Sequence, residues 1–318
     1  EIPLRLVGSE MCIRDSHQAV SDLSFNIERG QIYGFLGPNG AGKSTTMNIM
    51  TGCLAASSGS VTIDGYDIYE DAGAAKRLIG YLPEQPPLYL DRSPREYLRF
   101  VARAKGLKSG AINDSIDKAM SVTGIDQVGD RLIKNLSKGY RQRVGIAQAL
   151  LGEPETIILD EPTVGLDPKQ IIEIRQLIKE LGKSHTVILS SHILSEVQAV
   201  CGTVLIIAKG SLVACDSPEN LEKLFAGGER LSLLADCTGK EAGEIIGRLS
   251  GISSLKTEQC PEGCRIELQS DKPGAALRRQ LFFAFAGAQR PILEMSGGKS
   301  SLEDIFIELT QEKEAEEL

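Results

Sequence analysis

The sequence of 318 residues predicts an α/β fold built around a mainly parallel sheet, followed by a smaller α+β unit. Three observations carry this. The apolar run Gln31 to Leu36 has strand character and leads into a glycine-rich loop, Gly37-Pro38-Asn39-Gly40-Ala41-Gly42-Lys43-Ser44-Thr45, after which Thr45 to Met50 reads as a helix opening. Two further apolar runs, Thr156 to Glu161 and Thr186 to His192, read as buried strands that end in polar residues. Past a boundary at Gly227-Gly228-Glu229-Arg230 the pattern becomes strand 231–235, helix 240–249, strand 253–257, strand 265–269, helix 275–286 and strand 291–295.

The length allows one large domain and a smaller one with ample material for a core. Hydrophobic residues make up 42% and charged residues 25%, with a mean hydropathy of −0.08. A net charge of −8 and a pI near 5.2 argue against a nucleic-acid partner, which would need clustered Lys and Arg. No apolar run approaches the length of a membrane span, and Leu281 to Ala288, among the longest, is far too short. Any membrane role is therefore expected to run through a partner. Seven cysteines without a metal-ligand rhythm suit a reducing cytoplasm. Cys260-Pro261-Glu262-Gly263-Cys264 is the one close pair. A disulfide or half of a zinc site are alternatives there, and two reduced thiols flanking a turn is the expected state.

The elements follow in order. Leu6 to Ser16 resembles the conceptual translation of a sequencing-library adapter, so residues 1–16 are set aside as non-native and expected to pack poorly. The alternative is a genuine N-terminal strand and turn. Ala19 to Ile27 alternates as a strand, Glu28-Arg29-Gly30 turns it, and Val61 to Gly65 is a further strand and turn. Ile79 to Pro87 is a strand broken by three prolines. Pro94 to about Leu151 is largely helical, and there Tyr97, Phe100, Val101 and Ala104 share a face expected to pack. The helix after Pro168 carries Ile171, Ile174, Leu177, Ile178 and Leu181 on one side. Strands at Val204–Ala208 and Leu212–Ala214, the turn Ser217-Pro218-Glu219 and a helix to about Phe225 close the larger domain.

The loop from Gly37 to Thr45 matches G-x-x-x-x-G-K-[ST], which recurs by chance in roughly one chain in a hundred of this length. Glycines let successive backbone N–H groups curl around a phosphate, and the helix N-terminus adds its positive end. The segment resembles the phosphate loop of P-loop nucleotidases. That resemblance makes Gly37 to Thr45 an ATP-binding loop, with Lys43 reaching the β/γ-phosphates and Ser44 ligating Mg²⁺.

A second motif narrows the resemblance. Leu136-Ser137-Lys138-Gly139-Tyr140-Arg141-Gln142-Arg143 is similar to the signature LSGGQ-x-R of ABC-type ATPases, with Lys138 in place of Gly and Tyr140 in place of Gln. Ser137 can cap a helix running to about Leu150, and Gly139 permits close approach, so this helix start is a second anion site. By the resemblance, Ser137, Lys138, Gly139 and Tyr140 contact a phosphate bound on another subunit. It also assigns Asp160, at the end of its strand, to the metal and Glu161 to the general base. Val164-Gly165-Leu166-Asp167-Pro168 resembles the D-loop, and Asp167 with Pro168 is also an N-cap followed by a first helical position. His192 falls where the family has its switch histidine. Aligned on Gly80-Tyr81-x-Pro83, the Q-loop position falls on Glu84, with Gln85 one place later, and which of the two senses the γ-phosphate stays open.

The resemblance covers about residues 17–310 and is nearest to ATP-binding subunits of bacterial ABC-2 type exporters, in particular the gliding-motility-associated and multidrug-type subgroup. Tyr81-Leu82-Pro83-Glu84 followed by Pro86-Pro87-Leu88-Tyr89 supports that placement. The fold implied is a P-loop NTPase of ABC-ATPase type: a RecA-like core, an antiparallel β subdomain and a helical subdomain at about 90–152, all within 17–226. A small C-terminal α+β domain of ferredoxin-like kind spans 229–311, and the acidic tail is 312–318. Ser301 to Thr310 resembles the family's C-terminal helix. The mechanism implied is ATP-driven closure of a head-to-tail homodimer, which powers export through a separate ABC-2 type permease. The chain would then be cytoplasmic, held at the inner face of the membrane by that permease. Competing expectations are an ABC ATPase with no transport role and a nucleotide switch without turnover. The family stacks adenine on an aromatic about five residues before Ala19-Val20, which falls on Arg14 here. Weak ATP binding follows from that expectation.

Overall fold

The computed structural model describes residues 4–7, 19–225, 229–270 and 274–299, with side chains over 19–221, 231–270 and 274–297. The described residues form two compact units that divide between Pro218 and Glu219.

The first unit runs β1 (Leu4–Val7), β2 (Phe25–Ile27), β3 (Ile32–Leu36), α1 (Lys43–Met50), β4 (Ser60–Ile63), β5 (Tyr66–Asp67), α2 (Ala72–Ala75) and β6 (Ile79–Leu82). Three helices follow, α3 (Pro94–Ala104), α4 (Ile112–Thr123) and α5 (Lys138–Leu150). Then come β7 (Thr156–Leu159), α6 (Pro168–Leu181), β8 (Thr186–Ser191), α7 (Leu194–Val200), β9 (Thr203–Ala208) and β10 (Ser211–Asp216). The main sheet has the order β10-β9-β3-β8-β7-β6. Strands β9, β3, β8, β7 and β6 are parallel, and β10 is antiparallel to β9. Strands β7 and β8 are buried at every position, as parallel strands covered on both faces must be. The second sheet is antiparallel, in the order β2-β1-β4-β5. Phe25 meets Phe35 edge to face at 5.2 Å in the core, and both are buried.

Three readings of the sequence change here. Residues 4–7 do not stand apart from the fold: their backbone is the strand between β2 and β4, with Leu6 opposite Phe25 and Val61. A ladder is made by backbone groups, so a short alternating segment can complete it whatever its origin. The rest of 1–16, including Arg14, lies outside the described residues, as do Ser301 to Thr310 and the tail. The strand expected over Ala19–Ile27 shrinks to Phe25–Ile27, because Asp22 sits at φ 46, where a ladder cannot continue. In α3 the buried positions are Pro94, Tyr97, Leu98 and Ala102, while Phe100 is 51% exposed. Phe100 instead lies against Tyr89, ring centroids 5.2 Å apart and planes tilted at 43°. As the prolines lead one to expect, β6 ends at Leu82, before Pro83, and Glu84 to Leu90 is irregular.

The second unit starts within α8 (Pro218–Phe225), at Glu219, and continues through β11 (Glu229–Ala235), α9 (Gly239–Ile246), β12 (Ile252–Cys260), β13 (Gly263–Ser270), α10 (Gly274–Gly287) and β14 (Ile292–Lys299). Its antiparallel sheet has the order β12-β13-β11-β14. Alternate residues of β11 and β13, among them Leu233, Ile266 and Leu268, bury one face with Ile246 of α9 and Leu277, Leu281 and Phe285 of α10. Thr238 and Glu241 form a capping box that starts α9. Cys260 and Cys264 flank the β12–β13 turn as free thiols.

Candidate nucleotide site

Everything that positions the site follows from which strand ends meet. The loop after β3, Asp160 and Glu161 after β7, His192 after β8 and Glu84 after β6 all leave the same edge of the parallel sheet, its C-terminal edge. Ligands bind in open α/β sheets at that edge. A cavity of about 450 Å³ opens there, lined by Ala19, Lys43, Ser44, Glu84, Glu161 and His192 among others.

The loop is shaped by its glycines. Gly42 caps α1 at φ 99, and a Cβ there would stand 2.5 Å from the Ala19 carbonyl, so no other residue fits. Lys43 is buried, and its Nζ donates to the carbonyls of Gly37 at 2.8 Å and Pro38 at 3.2 Å. It also lies 3.5 Å from Glu161 Oε1. Ser44 Oγ is 3.3 Å from Asp160 Oδ1, and the same oxygen accepts Ser190 Oγ at 2.5 Å. The other oxygen of Glu161, Oε2, is 2.9 Å from His192 Nδ1. Glu161 N donates to Ser190 Oγ at 2.9 Å. Burial first, and then the nearby Asp160 charge, pushes the Tyr81 phenol upward, so it stays protonated and reaches Asn48 Oδ1 at 3.2 Å.

A hydroxyl and a carboxylate side by side are hard oxygen donors of the kind magnesium takes, and magnesium keeps waters and phosphate oxygens as its remaining ligands. Among the described residues no group of three or more His, Cys, Asp or Glu is placed to hold a metal ion, so a protein-only cage is not what this edge offers.

The signature residues lie elsewhere. Ser137, Gly139, Tyr140, Asp167 and Gln170 line a separate cavity of about 320 Å³. Ser137 caps α5, its Oγ accepting Tyr140 N at 3.4 Å, and Asp167 caps α6 by accepting Gln170 N at 2.9 Å. Lys138 lies over Gly165, where a Cβ would be 2.2 Å from its Nζ. Of the two Q-loop candidates, Glu84 lines the first cavity, and Gln85, exposed, is not among its lining residues. Sequence reading missed Ser190, which links Asp160 to the Glu161 backbone. Its one signal is a polar pair, Ser190-Ser191, closing an otherwise apolar strand.

A phosphate-shaped loop, a lysine, paired acids and a histidine at one sheet edge define a phosphate-loop nucleoside triphosphatase, and the second capped helix start sets it within that class. Residues 20–164 match the family model described as ABC transporter. The chain is 36% identical over 305 residues to the uncharacterized ABC transporter ATP-binding protein YhcH of Bacillus subtilis, covering 93% of this chain and 92% of that protein. It is 40% identical over 200 residues to the bacitracin transport ATP-binding protein BcrA of Bacillus licheniformis, over 62% of this chain and 64% of that one. Among solved structures, cbiO1 from Clostridium perfringens, part of the ABC transporter complex cbiONQ, superposes with a TM-score of 0.63 at 30% identity, over 77% of this chain and 95% of its own. The chain belongs to the ATP-binding proteins of ABC transporters, and it is an ATP-hydrolysing subunit.

Proposed function

We propose that two copies of this chain pair head to tail, each nucleotide lying between Lys43 of one and Ser137 of the other, to drive export through a separate ABC-2 type permease. The single observation that carries the pairing is the separation of the two anion-binding helix starts: α1 opens on one cavity and α5 on another. In this reading Gly37 to Thr45 cradles the phosphates, and Ser44 with Asp160 holds Mg²⁺, which when bound neutralises charge on the β- and γ-oxygens. Glu161 takes the proton of the attacking water, and His192, on the far side of the carboxylate, holds Glu161 and the γ-phosphate in register. Glu84 senses the γ-phosphate from the end of β6. Ser137, Gly139 and Tyr140 close over the partner's nucleotide, and Asp167 meets the partner's D-loop.

Export is favoured by similarity to a protein named for bacitracin transport, and the run Tyr81 to Tyr89 favours the gliding-motility-associated and multidrug-type subgroup. Among the described residues no helix is long and apolar enough to cross a membrane, so the permease supplies the path and holds the subunit at the inner face. Residues 17–226 make the ATPase domain, with 90–152 as its helical part. Residues 229–311 form an accessory domain, 312–318 are a tail, and Leu6 to Ser16 derives from an adapter. Steady-state turnover tests the pairing. The ATPase rate per chain should rise with protein concentration as dimers form, and a rate that stays constant where light scattering shows only monomer would refute it.

A further inference from the structure

Glu196 sits in the first turn of α7, 4% exposed, and has no part in the site as described so far. Its Oε2 accepts two hydroxyls, Thr163 Oγ1 at 2.5 Å and Ser191 Oγ at 3.0 Å. Both donors are buried, at 5% and 0% exposure. They come from different segments: Thr163 lies in the loop after β7, two residues after Glu161, and Ser191 is the last residue of β8, immediately before His192. Ser191 Oγ also accepts Ile193 N at 3.0 Å, so the hydroxyl fixes the backbone just past the histidine as well.

A buried carboxylate is costly to keep, and an apolar residue of similar size would serve packing at least as well. Its place between two hydroxyls therefore calls for a task. Glu161 supplies one. Its backbone is at φ 46, a left-handed conformation that a residue with a side chain holds only when its surroundings impose it. Before the turn, Ser190 Oγ takes the Glu161 N–H. After it, Thr163 is fastened to Glu196. The strained residue is thus pinned on both sides, and both pins end on β8 or on the helix that follows it.

We infer that Glu196 is a positioning residue for hydrolysis: it ties the loop after β7 to the loop after β8, so that Glu161 and His192 keep their 2.9 Å relation. This rests on the roles proposed above for Glu161 and His192. Loss of the tie lets the carboxylate drift while the phosphate loop, built on β3 and α1, is untouched. Turnover should therefore fall without a matching loss of affinity.

The test uses the full chain with Mg-ATP, comparing kcat, KM and equilibrium binding of a fluorescent ATP analogue. Glu196→Ala should lower kcat by about ten- to a hundredfold, the scale of a sub-ångström to 1 Å misplacement, with affinity changed by less than about threefold. Glu196→Gln keeps an acceptor oxygen and should retain most of kcat. Thr163→Val should show the same split as Glu196→Ala and add little when combined with it. If Glu196→Ala does not fold, Thr163→Val carries the test alone. A parental kcat in Glu196→Ala, a fall in kcat matched by an equal fall in affinity, or no difference between Gln and Ala overturns the inference. Glu161→Gln is the control. Parental turnover in that variant defeats the reading of the site, whereas an inactive Glu161→Gln beside a fully active Glu196→Ala defeats only the tie.

Discussion

Lys43 Nζ stands 3.5 Å from Glu161 Oε1, with each side chain less than a tenth exposed. In the proposed site, the cation meant for a phosphate is therefore already in the field of the carboxylate proposed as general base. A γ-phosphate bound as proposed would compete with Glu161 for one ammonium group, and between two buried side chains that competition is stronger than in solution.

The first prediction follows from that contact. Glu161→Gln removes the competing charge and the base together. ATP binding should be retained or tightened while kcat falls by about 10²- to 10⁴-fold, the range of a lost general base. Size-exclusion chromatography with ATP should show a trapped dimer. Turnover at the parental rate would remove Glu161 from its role.

Tyr89 is the second case. It is 46% exposed on the irregular stretch after β6, and its ring contacts Tyr97 at 5.7 Å and Phe100 at 5.2 Å. The exposed pair Tyr89 and Phe100, backed by buried Tyr97, suits a helix of the membrane partner. Tyr89→Ala should abolish transport in vesicles that carry the permease while basal ATPase stays within about twofold, as for most surface substitutions. Equal loss of both activities counts against coupling.

Lys105 gives a pH dependence. Its Nζ donates to the carbonyls of Gln148, Ala149 and Leu151 at the end of α5, and burial holds its pKa down to about 8 against an ordinary 10.5. Between those values the unfolded chain binds more protons than the folded one, so the stability this group contributes rises with pH across that window and is lost as pH falls through 8. The stability of the parent minus that of Lys105→Met should grow by about 2 kcal/mol from pH 7.5 to 9.5 in guanidinium melts. A flat or falling difference would show that the lysine keeps its ordinary pKa.

Counted back from Ala19-Val20, Arg14 falls where the resemblance leads one to expect an aromatic under the adenine. Arg14→Tyr should raise ATP affinity by about tenfold, the lower end of what base stacking is worth. Calorimetric titration of both proteins decides it, and an unchanged Kd would mean that adenine is held elsewhere.

The legible parts of this molecule were those written contiguously. The loop from Gly37 to Thr45 states its strand, its turn and its helix within a few residues, and Asp167-Pro168 spells out a helix start in two letters. What stayed hidden depends on which strand ends are neighbours. Nothing local tells Thr163 that Glu196, 33 positions away, will take its hydroxyl, or Asp160 that Ser190 will be at its side. The spacing of Tyr97, Phe100, Val101 and Ala104 fits a helical face, yet Leu98 and Ala102 fit another, and only packing against α4 and α5 chooses between them.

That Lys43 and Ser137 line different cavities of one chain has a genetic consequence. In a head-to-tail pair, a chain defective at Lys43 and a chain defective at Ser137 combine so that both lesions fall in one composite site, which leaves the other with intact parts from each. Two alleles that are each inactive alone should thus complement when co-expressed, with about half of randomly formed dimers holding one whole site. Both lesions on the same chain leave nothing to rescue, because even beside an intact partner each of the two composite sites then carries one lesion.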